Sequence, residues 1–409
     1  MSAIAAAVAA LGPGPLREPL LRQHIDPLFS RALAKPGSYL ANHSLGRPLD
    51  RTAQDVSLGL SLWFADLGDA WGPWLEQQSA WRRQLAELVG APRPDCIVAK
   101  TSAGQGLRSV LNFADRRLRV LSTRGEFDSI DVILRHYHQR GRIELRMVEP
   151  SAPPPLGQAE PGPGEWFETE QLLQALDQPT DLLVLSQVMF MTGQRLADLP
   201  AIVARAHARG AQVLLDTYHA VGVFPTHLGE LGVDFAVGGS YKYLRGGPGS
   251  CWLYVSPAVA DSGAVSLDTG WFAKEQPFAY LRPDPPRFAK GGDGLQESTP
   301  PVLQPYQAAA GLELLLTLGV ERVRAYQLQA CDQLVRALAE RGVAATGGRE
   351  DMGAFAVLRH PRAGELAAAL AQRGIEGDAR GPYLRLCPDI LTRPAEIEAA
   401  AVAVAQLLA

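Results

Sequence analysis

Gly238-Gly239-Ser240-Tyr241-Lys242-Tyr243-Leu244-Arg245-Gly246-Gly247-Pro248-Gly249 is the stretch on which the reading of this 409-residue chain turns. It follows the apolar run DFAVGG (234–239), so Lys242 falls just past a strand end, where binding sites of α/β sheets gather. The glycines on either side let neighbouring backbone come close to a ligand. Alone, the stretch equally describes a solvated lysine in a flexible turn.

Upstream lies a second strand end, Leu214-Leu215-Asp216-Thr217-Tyr218-His219-Ala220-Val221-Gly222. Asp216 closes an apolar strand and points a carboxylate into the region that Lys242 shares. A buried carboxylate needs a cationic partner, because unpaired burial is costly. A protonated pyridinium nitrogen is such a partner, and keeping it protonated preserves the electron sink of pyridoxal 5′-phosphate. Lys242 and Asp216 together therefore point to that cofactor. His219 reads equally as a core histidine or as a group holding the cofactor or the aspartate.

Two further turns complete a cofactor pocket. Ala99-Lys100-Thr101-Ser102-Ala103-Gly104-Gln105-Gly106 joins a strand to a helix, and its hydroxyls and helix N-terminal amides suit a phosphate. Gly125-Glu126-Phe127-Asp128-Ser129 follows the next strand and offers the Phe127 ring to a flat heterocycle. A core aromatic is the plain alternative.

Working outward, short apolar segments alternate with helical patterns. CIVAK (96–100), LRVLS (118–122), IELRMV (143–148), LLVLS (182–186), QVLLD (212–216), DFAVGG (234–239) and CWLYV (251–255) are expected strands. Several are continuously apolar, as in sheets covered on both faces. Helices are expected over 104–114, 129–139 and 199–208. This predicts an α/β fold with a mainly parallel seven-stranded sheet. From residue 305 the pattern shifts to two long helices (305–318, 320–341), a strand AFAVLRH, a helix, a strand YLRLC and a last helix: a smaller α+β domain. The expected division is a large domain over 46–304 and a small one from 1–45 plus 305–409. The segments 149–165 and 282–294, rich in proline and glycine, read as surface loops.

Composition narrows the class. A formal charge of −4 gives no electrostatic case for nucleic acid or an anionic membrane. Cys96, Cys251, Cys331 and Cys387 are widely spaced with no CxxC pair, which excludes a disulfide framework or structural zinc and leaves no metal expected. The apolar N-terminus lacks the leading basic residues of a secretion signal, and no run reaches the ~20 residues a membrane span needs. A cytoplasmic enzyme is expected. A dehydrogenase would need a Gly-x-Gly-x-x-Gly turn after the first strand, and Ser102 to Gly106 matches it only in part.

The residues resemble the class V aminotransferase superfamily of fold-type I pyridoxal-phosphate enzymes, and within it the kynureninase branch. Asp216 with Ser240-Tyr241-Lys242 carries the superfamily resemblance. Asn42-His43-Ser44-Leu45-Gly46-Arg47-Pro48, Ser186-Gln187-Val188-Met189-Phe190-Met191-Thr192-Gly193-Gln194 and Gly270-Trp271-Phe272 carry the branch, and Arg380-Gly381-Pro382-Tyr383-Leu384-Arg385-Leu386-Cys387-Pro388 also fits. The resemblance implies that Lys242 carries the cofactor covalently and moves the α-proton, that Asp216 pairs with the ring nitrogen, and that Ser102, Ala103 and Tyr241 bind phosphate. It implies Phe127 stacking on the ring, Tyr241 donating a late proton, and Arg385 with Ser44 binding substrate. Trp271 and Thr299 would reach cofactor and substrate from a partner subunit, hence a homodimer with shared active sites.

The activity so implied is hydrolytic Cβ–Cγ cleavage of L-kynurenine or a substituted kynurenine, a step of tryptophan catabolism. Rival readings are another class V lyase, desulfurase or aminotransferase, and a non-catalytic binder. The chain departs from the branch at Thr299, where kynureninases carry asparagine, at Thr217-Tyr218, in Phe127-Asp128-Ser129 and in the phosphate turn. Those departures bear on the substrate and leave the cofactor groups in place.

Overall fold

The protein is described from a computed structural model covering residues 1–151 and 165–409. Seven strands form the central sheet: β1 (Ile97–Lys100), β2 (Leu118–Thr123), β3 (Ile143–Val148), β4 (Leu182–Ser186), β5 (Gln212–Asp216), β6 (Phe235–Gly239) and β7 (Cys251–Val255). Their order is β1-β7-β6-β5-β4-β2-β3. Strands β2 to β6 run parallel, and β7 runs antiparallel to both β6 and β1. The reason is local. The link from β6 to β7 is the glycine-rich stretch itself, which contains no helix and is too short for a parallel crossover. The chain must turn back, with Gly239 facing Cys251 in register, and Lys242 sits on that return.

The apolar strands serve two covered faces. Leu183, Leu185, Val213 and Leu215 pack into one core, and Val184, Leu214, Val237 and Leu253 into the other. With side chains alternating across the sheet, both sets are buried, which explains runs with no polar alternation. The flanking helices include Ala103–Leu111, Asp128–Gln139 and Leu199–Ala208.

A second, antiparallel sheet contains β8 (Ala356–Arg359), β9 (Asp378–Arg380) and β10 (Tyr383–Leu386) in the order β9-β10-β8. The helices Val320–Ala339, Ala363–Gln372 and Pro394–Leu408 share its core through Leu334, Leu370, Leu384 and Val404. At the other end of the chain the alanine-rich start is a helix, Ala3–Ala10, whose Ile4 and Val8 pack with Leu314 and Leu318. Residues 38–39 add a short parallel pairing to residues 375–376.

Two expected loops fare differently. Most of 149–165 lies outside the described residues. The stretch 282–294 is exposed over its first half only. Gly291 and Gly292 are buried against Asp95, where a Cβ on Gly292 would meet the Asp95 carbonyl oxygen at 2.2 Å. Glycine lets that half tuck inward.

Candidate active site

The C-terminal ends of β4, β5 and β6 lie side by side, with Ser186 paired to Asp216 and Asp216 to Val237. Over them opens a cavity of about 250 Å³ lined by Asp216, His219, Tyr241 and Lys242. Its opposite wall includes Ser102 and Ala103 at the start of the helix Ala103–Leu111, together with Phe127. Seven residues singled out in the sequence thus meet at one hollow.

Glycine is needed where the lysine turn leaves β6. A Cβ on Gly238 would stand 2.1 Å from the Trp252 ring, and one on Gly239 would stand 2.4 Å from the Tyr218 ring. These contacts let β7 and Tyr218 close on the strand end, so Lys242 is delivered into the cavity and is only 5% exposed.

Lys242 Nζ lies 2.7 Å from His219 Nε2, and His219 Nδ1 lies 3.1 Å from the Tyr243 hydroxyl. The Phe127 and Tyr218 rings are each centred 5.5 Å from the Lys242 nitrogen. Burial pushes the Lys242 amine down to about 7; Asp216 opposes that shift and Arg385 adds to it. Burial, then the positive neighbours Lys242 and Arg385, hold His219 well below its usual range, so it is a neutral imidazole. Burial moves Asp216 the other way, upward, against the Tyr218 N–H that donates to its Oδ1 at 2.9 Å and against the charge of Lys242.

That last shift tests the fit of a cofactor. Asp216 is a buried carboxylate at the cavity wall whose charge is poorly compensated by protein alone. A pyridinium N–H would supply the missing partner. The phosphate end would be held by the amides of the helix Ala103–Leu111, whose N-cap Ser102 accepts from Gln105 N–H at 3.1 Å. The residues present fit pyridoxal phosphate at both ends and at the lysine.

Arg385 and Ser44 stand outside that lining. Arg385 is bound side-on by Asp378, Nε to Oδ1 at 2.8 Å and Nη2 to Oδ2 at 2.6 Å. Its Nη1 donates to the Phe190 carbonyl, and Phe190 lines the lysine cavity. The Ser44 hydroxyl donates to Asp378, as does His43 Nε2 at 2.6 Å. Trp271 and Thr299 meet each other, indole N–H to hydroxyl at 3.2 Å, but neither lines the lysine cavity. Thr299 instead borders a separate hollow of about 450 Å³ with Trp63, Trp71 and Trp74.

Three contributors were not singled out from the sequence. Glu126, beside Phe127, is buried and accepts from Thr123 at 2.7 Å and Ser186 at 2.6 Å; burial, against those hydroxyl bonds, pushes it up to about 7. Phe355 carries His43 at 4.9 Å and His219 at 5.6 Å between ring centroids, with the Arg385 guanidinium 5.4 Å from its own. Asp378 is the third. Only for Glu126 did a signal exist, since a carboxylate three residues past a strand end raises the same question of partners as Asp216.

A buried lysine with a near-neutral amine, facing a strand-end aspartate across a cavity capped by a helix N-terminus, defines a pyridoxal-phosphate enzyme of the aminotransferase kind. The family model for class-V aminotransferases matches residues 75–381, and the chain belongs to that family. Within the family it is similar to kynureninases. Kynureninase of Pseudomonas fluorescens is 28% identical over 380 residues, 86% of this chain and 84% of the relative. Kynureninase of Deinococcus radiodurans is 29% identical over 364 residues, 84% and 83% respectively. An uncharacterized aminotransferase of Bacillus subtilis, YcbU, is 29% identical over 350 residues, 84% and 86%. Among solved structures, the fold is similar to the cystine C–S lyase C-DES in complex with cysteine persulfide (TM-score 0.78, 20% identity, 92% of this chain and 99% of that one). It is also similar to the cysteine desulfurase CsdA of Escherichia coli (TM-score 0.75, 18% identity, 93% and 96%).

Proposed function

We propose that the protein hydrolyses the Cβ–Cγ bond of L-kynurenine or a ring-substituted kynurenine, releasing an anthranilate and L-alanine. The observation that carries this is the Lys242–Asp216 cavity in a chain whose kynureninase relatives align along most of its length. Pyridoxal phosphate, when bound, supplies the electron sink for the bonds at the substrate α- and β-carbons.

The chain's own groups then have these tasks. Lys242, with an amine pushed down to about 7 by burial, is neutral often enough at physiological pH to take the α-proton. Asp216 holds the charge opposite the ring nitrogen, and Ser102 with the following helix amides anchors the phosphate end. Tyr241, whose phenol burial pushes up, stays protonated and donates when the β-carbon is protonated. Phe127 and Phe190, edge to face at 5.3 Å, wall off water beside the lysine. Arg385 holds the substrate carboxylate.

The active assembly in this proposal is a homodimer. Trp271 and Thr299, set away from the lysine within their own chain, would complete the partner's site. Trp63 and Leu67, exposed apolar side chains that border the same hollow as Thr299, provide a surface for it.

One second reading has support. The YcbU and C-DES likenesses keep open transamination, or lyase chemistry on another amino acid. Desulfuration through a protein thiol is disfavoured, because all four cysteines are buried and Cys387 is held against the Ala354 carbonyl at 3.1 Å.

The deciding experiment follows anthranilate fluorescence and L-alanine release from L-kynurenine and 3-hydroxy-L-kynurenine with cofactor-loaded protein. Aryl acid and alanine in equal amounts, abolished in Lys242→Ala, is the expected result. Cofactor binding without aryl acid from either substrate would refute the hydrolase reading and favour the second.

A further inference from the structure

Asp378 gathers two side chains of the N-terminal segment, His43 and Ser44, beside Arg385. Its two oxygens accept from Arg385 Nε and Nη2, from His43 Nε2 and from the Ser44 hydroxyl, and Arg380 approaches at 3.6 Å. The arrangement is enforced by backbone. Asp378 is the cross-strand partner of Arg385 in the β9–β10 hairpin, so the two side chains start from opposed positions on one face.

A guanidinium has five N–H donors in a fixed fork. Asp378 takes the side-on pair, Nε–H and one Nη2–H. The Phe190 carbonyl takes one Nη1–H. These bonds use three of the five N–H groups and leave one on each terminal nitrogen, beside Phe190, a wall residue of the lysine cavity. The Phe355 ring lies beneath the fork, its centroid 5.4 Å from the guanidinium carbon.

We propose that Asp378 is the positioning residue that sets how the substrate carboxylate is recognised: it occupies the side-on edge of Arg385 and leaves the end-on edge for the carboxylate of an α-amino acid. Ser44 and His43 act one step further back, fixing Asp378 and not touching substrate. The proposal deepens the assignment of Arg385 made above and rests on it.

The protonation states agree with this geometry. Burial would raise Asp378, but hydrogen bonds from His43 and Arg385 outweigh it and hold the carboxyl well below the usual range. Burial, with help from Arg385, lowers His43 to about 4, so a neutral ring donates from Nε2. The groups facing Asp378 are therefore two guanidiniums, a neutral imidazole and a hydroxyl, and the acid is ionised wherever the protein is folded near neutral pH.

The test uses cofactor-loaded protein and two probes, L-alanine and its carboxyl-free counterpart ethylamine, read through the visible absorption of the cofactor. In Asp378→Ala the Kd for L-alanine should rise roughly 10- to 100-fold, the scale of a lost hydrogen bond between charged groups, with ethylamine changed less than about 3-fold. Asp378→Asn, which keeps shape and one acceptor, should fall between, and Ser44→Ala should give a small rise in the same direction. Tighter L-alanine binding in Asp378→Ala would overturn the proposal, since Asp378 would then be a competitor of the substrate carboxylate. An unchanged L-alanine Kd would overturn it too, as would equal losses for both probes, which mark a merely structural role. Kynurenine cleavage does not enter the readout, so the hydrolase proposal and this one can fail separately.

Discussion

Lys242 should behave as an amine with a midpoint near 7, and its reaction with pyridoxal phosphate in cofactor-free protein makes this measurable. Only the neutral amine attacks the aldehyde. Burial favours the neutral form, so the reactive fraction grows as pH rises through about 7 and is nearly complete by pH 8. A solvated lysine, with its ordinary value near 10.4, would be under roughly 1% neutral at pH 8, so Lys242 gains on the order of a hundredfold in reactive amine there. The assay is the rate of appearance of the lysine–cofactor absorption band across pH 5.5 to 10, with Lys242→Ala as the blank. The rate should level off above about pH 8. Asp216→Asn should move the midpoint down, because Asp216 favours the charged lysine, and Arg385→Met should move it up, because Arg385 disfavours it. A wild-type rate that keeps climbing to pH 10 would refute the argument, and so would the two variants shifting in the opposite senses.

Other consequences can be measured directly. Glu126 has a folded value near 7, above that of the unfolded chain, so it contributes stability below pH ~4.5 that is lost as pH rises toward 7. Melting temperatures should therefore show Glu126→Gln gaining on the parent between pH 5 and 7.5, and a constant difference would remove the buried acid from the account. Asp389 lies buried between Arg47 and Arg245, each within 2.5 Å of one of its oxygens. Asp389→Ala strands two buried cations and should cost about 3–5 kcal/mol in urea unfolding, with an unshifted midpoint as the contrary result. Phe127→Leu should weaken pyridoxal-phosphate binding about 3- to 10-fold in a direct titration, the worth of one aromatic contact; unchanged affinity would mean the ring does not stack.

Much of this site could be read along the chain because its key residues follow directly from apolar strands. Asp216 ends β5 and Lys242 follows β6, so a strand pattern and a nearby charge sufficed to place both at one edge. The Ser102 turn was visible for the same reason. Asp378 was not, because its partnership with Arg385 depends on the register of a hairpin whose first strand, Asp378–Arg380, carries no apolar signal. Phe355 carried no signal either, because the three polar groups around its ring, His43, His219 and Arg385, come from distant parts of the chain. Strand ends were blurred by a residue or so, as at Cys96, which belongs to a short 3₁₀ turn before β1. The bond of the Ser44 hydroxyl to Asp378 was likewise out of reach of the sequence, because the two residues lie far apart along the chain.

The segment from Ser38 to Gly46 has one more consequence. At one end it is paired to residues 375–376 and to Cys387, whose N–H donates to the Leu40 carbonyl at 2.7 Å. At the other, Gly46 N–H donates to the Tyr241 carbonyl at 2.7 Å, and a Cβ there would collide with the Lys242 carbonyl oxygen at 1.9 Å. In between, His43 and Ser44 grip Asp378. The chain thus ties the hairpin that holds Arg385 to the peptide that holds Lys242. The separation between the Arg385 and Lys242 side chains is therefore set by one short stretch of backbone, and a change of length anywhere from Ser38 to Gly46 would be felt at both.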